Sequence, residues 1–83
     1  MDSRYRELGF KQPEYLENQY GIRIYTGTKG GEDWCVEIPK EIAQLNVDNR
    51  FEFNANLCYY LIYEHEALAI ADKYTKTAKK NGA

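Results

Sequence analysis

The sequence predicts an α+β fold: a small antiparallel sheet built on a β-hairpin, packed against a C-terminal amphipathic helix, with short helical turns at the N-terminus. Three observations carry this expectation. Residues 22–26 and 34–38 alternate in polarity on either side of a glycine-rich segment, residues 67–78 repeat apolar side chains at helical spacing, and 83 residues give length for one domain. The expected organisation is short helical turns over 1–21, a sheet region over 22–63 with a helical turn at 39–45, and a helix over 64–80.

Asp2 or Ser3 is placed to cap a helical turn running through Glu7, which Gly9 ends. Pro13, with its φ fixed near the helical value, opens a second short helix through Glu14, Tyr15, Leu16 and Glu17 toward Gly21, a C′ glycine. Its two acids lie in the N-terminal half, where the helix dipole favours them. From Ile22 the pattern changes to strand. Ile22-Arg23-Ile24-Tyr25-Thr26 alternates and is β-branched, and Trp34-Cys35-Val36-Glu37-Ile38 puts Trp34, Val36 and Ile38 on one face. Gly27-Thr28-Lys29-Gly30-Gly31-Glu32-Asp33 supplies the glycines that a hairpin loop of this length uses for positive φ.

Pro39 then opens a helical turn through Leu45, with Ile38, Ile42 and Leu45 at helical spacing. Val47-Asp48-Asn49-Arg50 reads as a turn before a short alternating strand, Phe51-Glu52-Phe53. Asn54-Ala55-Asn56 is a second turn, or Asn54 caps a helix. The stretch Leu57–Tyr63 fits either element: its aromatic, β-favouring content argues strand, while Leu57, Leu61 and Leu68 fall near one helical face. Strand is the favoured reading. From about Glu64 to Lys79, Ala67, Ile70, Ala71, Tyr74 and Ala78 keep the spacing of an amphipathic helix.

Composition excludes several function classes. The longest apolar run, Leu57–Tyr63, is far short of the ~18–20 residues a membrane helix needs, and mean hydropathy is −0.72. The N-terminal residues lack the apolar core of a secretory signal, so a cytoplasmic protein is expected. Cys35 and Cys58 are the two cysteines and His65 the one histidine, a set that fits neither a disulfide framework nor a zinc spacing. Glu64-His65-Glu66 does not converge on one ion, because neighbours on a helix point about 100° apart. Both cysteines sit in apolar segments, where a thiol packs as a small hydrophobe and not as a nucleophile. No metal, no cofactor and no catalytic residue is expected, hence no enzyme.

Net charge is −2, yet residues 1–72 carry 7 basic against 13 acidic residues, and residues 73–83 carry four lysines and no acid. The body is acidic and the end basic. Lys73, Lys76, Lys79 and Lys80 either complement the helix dipole or contact nucleic-acid phosphates. Eight tyrosines are more than so small a core hides. They and Trp34 either complete the core or form a docking face in which Tyr15, Tyr20, Tyr25 and Trp34 stand beside Glu14, Glu17, Glu32 and Asp33. That second reading makes the chain a protein-binding module for a basic site on a larger protein, as in small phage or mobile-element inhibitors of host enzymes.

The run Val36-Glu37-Ile38-Pro39-Lys40-Glu41-Ile42-Ala43-Gln44-Leu45-Asn46-Val47, followed by Phe51-Glu52-Phe53, is similar to the strand, Pro-initiated helical turn and strand of AbrB/MazE-like swapped-hairpin regulators. It covers about a quarter of the chain. The resemblance implies a DNA-binding homodimer, a transcription factor or antitoxin, whose trailing helix is available to a toxin.

Overall fold

A computed structural model of the chain describes residues 3–10, 16–26, 33–48 and 50–81. Four strands, β1 (Leu16–Glu17), β2 (Arg23–Thr26), β3 (Trp34–Ile38) and β4 (Leu57–Leu61), form one antiparallel sheet in sequence order. Helices α1 (Ser3–Glu7), α2 (Lys40–Gln44) and α3 (Glu64–Lys80) complete the fold. The expected α+β architecture is thus present.

Register explains how the sheet divides its side chains. Leu16 pairs with Ile24, Ile24 with Val36 and Val36 with Tyr59, so these four form one row across the sheet. Because successive strand residues point to opposite faces, Trp34, Ile38, Leu57 and Leu61 share that face. All of them belong to, or pack against, the core. Helix α3 covers this face and buries Ala67, Leu68, Ala71, Tyr74, Thr75 and Ala78. Three alanines in that stripe let the helix backbone lie close to the sheet.

The N-terminal segment is fastened by two glycine-dependent turns. At the end of α1 the Phe10 N–H donates to the Tyr5 carbonyl at 2.9 Å and the Gly9 N–H to that of Arg6 at 3.0 Å, with Gly9 at φ +85°. This is a Schellman cap, and its usual apolar contact is supplied by Phe10 edge-on to Tyr5, ring centres 6.1 Å apart. The β1–β2 connection turns on Asn18 to Gly21, whose φ is +83°. The Gly21 N–H donates to the Asn18 carbonyl and the Asn18 N–H to the Ile22 carbonyl, both at 3.0 Å, a three-residue hairpin loop with its left-handed residue last.

Asn18 ties these pieces together. It is 4% exposed, and its side chain fills its hydrogen-bonding capacity: Nδ2 donates to the Leu8 carbonyl (3.1 Å) and Thr75 Oγ1 (3.0 Å), while Oδ1 accepts from the N–H groups of Tyr20 and Ile22 (3.1 Å each). One amide therefore joins the α1 cap, the β1–β2 turn and α3.

Three expectations change. The helix expected from Pro13 toward Gly21 is replaced, over its described part, by β1 and a turn; backbone pairing to β2 and the Asn18 amide outweigh the local acid-and-glycine pattern. Phe51–Phe53 is not a strand: the Phe53 N–H and the Phe51 carbonyl bond to the Gln44 side-chain amide. The likeness to AbrB/MazE-like regulators accordingly stops at the helical turn. Pro39 flanks α2 and lies outside it, and the Lys40 N–H is capped by Asn56 Oδ1 at 3.1 Å. The Asp2 or Ser3 side-chain cap, Pro13 and the glycine loop over 27–32 lie outside the described residues.

Leu57–Leu61 of the ambiguous stretch forms β4, Tyr63 precedes the long helix as its N-cap, and the helix spans Glu64–Lys80. No helix among the described residues is long and apolar enough to cross a membrane.

Candidate functional site: the open face of the sheet

The residues that alternate with the core row form the other face of the sheet. Glu17 pairs with Arg23, Arg23 with Glu37 and Glu37 with Cys58; the next row is Tyr25, Cys35 and Tyr60. The helix-side core contains none of these seven. Cys35 is nonetheless fully buried, set at the centre of the sheet between Tyr25 and Tyr60.

Three polar contacts order this face. Arg23 Nε meets Glu17 Oε1 at 2.7 Å, both side chains being nearly half exposed. Glu37 accepts from the Tyr25 hydroxyl at 3.3 Å and from Asn56 Nδ2 at 2.9 Å. Contact with the Cys35 thiol, and then burial, push the Tyr25 hydroxyl far above the ordinary tyrosine range. Burial first, then the charges of Cys35 and Glu37, raise the Cys58 thiol. Both groups are held neutral, and Glu37 stands between Arg23 and Cys58, one row along from Tyr25, Cys35 and Tyr60. Carboxylates and tyrosine rings each attract cations, the first by charge and the second by cation–π attraction.

The structure brings together only part of the expected docking face. Glu17 and Tyr25 lie on the open face. Tyr20 sits in the β1–β2 turn, half-buried against the core, and Trp34 packs against the core on the helix side, opposite Tyr25. Asp33 is half-buried beside it. Glu14, Tyr15 and Glu32 lie outside the described residues. Sequence reasoning missed Glu37, Cys58 and Tyr60, although strand alternation alone separates Cys35 and Glu37 from Trp34, Val36 and Ile38. The tyrosines divide between both roles: Tyr5, Tyr20, Tyr59 and Tyr74 serve the core, while Tyr25, Tyr60 and Tyr63 reach the surface.

Elsewhere, Lys73, Lys76, Lys79 and Lys80 are exposed within about 120° of the α3 circumference. Lys76 pairs with Asp72 at 3.1 Å and the Lys73 ammonium lies 5.4 Å from the Tyr74 ring centre. His65 stacks on Tyr63. A groove of about 320 Å³ between α1 and α3 is floored by Leu8 and Leu68 and rimmed by Arg4, Glu7, His65 and Asp72. Its rim mixes both signs of charge. No metal-ligating cluster is present among the described residues.

The fold and this face define a four-stranded antiparallel meander with one side covered by a helix and the other, among the described residues, without one. Comparison with protein-family models, curated proteins and solved structures finds no match.

Proposed function

We propose that the chain is a non-enzymatic protein-binding module that docks the open sheet face on a basic surface of a larger protein. The observation that carries this is Glu37 bonded to the Tyr25 hydroxyl, one row along from Tyr60, on a face with two carboxylates, one guanidinium and no lysine. Tyrosine supplies contact area with few rotatable bonds, and the carboxylates steer a cationic partner at long range. The acidic body of the chain works in the same direction.

The test is capture of partners from the source cell by the tagged chain, compared with Glu37→Lys and Tyr60→Ala. Both positions lie outside the helix-side core, so the folded circular dichroism spectrum is retained. A protein with a basic contact surface, held by the wild type and lost by roughly tenfold or more in either variant, supports the reading. Recovery of nucleic acid that depends on Lys73, Lys76, Lys79 and Lys80, or equal capture by Glu37→Lys, overturns it.

A further inference from the structure

The two edges of the sheet are built differently. β1 has two residues, one of them Glu17, which is how proteins commonly blunt an edge. β4, at the other edge, has five residues, and the stretch Leu57–Tyr63 contains no charge, proline or glycine. It is rich in β-favouring residues, and three of its large side chains are exposed: Tyr60 is 48% exposed, Ile62 72% and Tyr63 59%. No strand pairs with its outer side among the described residues.

We infer that β4 pairs antiparallel with β4 of a second copy of this chain, about a two-fold axis normal to the sheet at Tyr60. The register follows from what must be covered. Centred on Tyr60, Ile62 faces the partner subunit's Cys58, Tyr63 faces the partner's Leu57 and Leu61 faces the partner's Tyr59. Centred on Tyr59, Ile62 and Tyr63 would meet Asn56 and Ala55 of the partner subunit and stay largely wet. The Tyr60 register keeps core-side residues beside core-side residues and open-face residues beside open-face residues. It sets no like charges opposite one another, since Leu57–Tyr63 carries no charge. The two sheets then join into one of eight strands, with both α3 helices on the same side.

A second copy is the occupant that the edge itself specifies, because a two-fold axis supplies an uncharged complement of the same length. The measurement is the mass of the full chain in solution by light scattering or sedimentation equilibrium across a concentration series. The expected result is a reversible rise from 9.7 kDa to twice that value. In Cys58→Lys/Ile62→Lys, lysines oppose each other twice per dimer, and self-association weakens by roughly tenfold or more. In Cys58→Lys/Ile62→Glu the same positions form two opposite-charge pairs, and the dimer returns. Both positions are exposed in the single chain, so the variants keep its fold. A wild-type mass of 9.7 kDa up to about 1 mM, beyond any meaningful dimer affinity, overturns the inference, even if an added peptide strand binds. Undiminished association of the double-lysine variant, or no recovery in the Lys/Glu variant, also overturns it.

Discussion

Asn18→Ala tests the account of what holds the N-terminal third in place. The substitution removes four hydrogen bonds, but they do not cost equally. Tyr20 is half-buried at a turn, where water can reach its N–H, and the Thr75 hydroxyl can swing to the carbonyl one helical turn earlier. The Ile22 N–H, on a residue with 0% exposure, and the Leu8 carbonyl are left without that partner. Stranding a buried backbone group costs about 1–3 kcal/mol, so the loss expected is about 2–4 kcal/mol, against a total of roughly 5–15 kcal/mol for a small domain. For a chain this size that lowers Tm by roughly 10–30 °C, read by thermal circular dichroism with urea unfolding for the free energy. Thr75→Val should cost about 1 kcal/mol alone and less than that added to Asn18→Ala, because both remove the same 3.0 Å bond. A loss under about 1 kcal/mol in Asn18→Ala, or full additivity of the pair, would refute the view of this amide as a shared tie.

Two further outcomes follow from the same geometry. Gly9→Ala forces a side chain onto φ +85° and drives its Cβ into Gln19 Oε1. Gln19 is exposed and can move, so the backbone conformation sets the cost at about 1–2 kcal/mol in urea unfolding, and adding Gln19→Ala does not restore it. In an alkaline titration followed by tyrosinate absorbance, Tyr74 ionises late, because burial and then its 2.9 Å bond to the Tyr59 hydroxyl push it up to about 12. Folded Tyr74 thus keeps its proton where unfolded Tyr74 loses it. Its contribution to stability is complete below about pH 10 and declines as pH rises from there toward about 12, a slope that Tyr74→Phe removes. Simultaneous ionisation of every tyrosine in the folded protein would contradict the packing described.

What was legible in the sequence depended on the number of residues repeating a pattern. The α3 stripe repeats over several turns, and Ala67, Ala71, Tyr74 and Ala78 are buried as the spacing requires. β2 and β3 each show enough alternation to identify themselves. β1 has two residues, too few for any period, and exists because β2 and the Asn18 amide hold it. Phe51 and Phe53 do alternate, but the residue that satisfies their backbone is Gln44, seven and nine positions away and invisible to a local pattern. The open face failed for the same reason. Glu37 belongs to the right alternation, yet its setting between Arg23 and Cys58, beside the Tyr25–Tyr60 row, depends on the registers of β2 and β4, which no single strand encodes.

The open face of the sheet separates two kinds of selection along one strand. In β3, a change at Val36 or Ile38 disturbs the helix-covered core, while a change at Glu37 leaves that core intact and acts on the open face, through its bonds to Tyr25 and Asn56. Adjacent codons therefore answer to different demands. Under the proposed docking, Glu17, Tyr25, Glu37 and Tyr60 set the target from outside the helix-covered core.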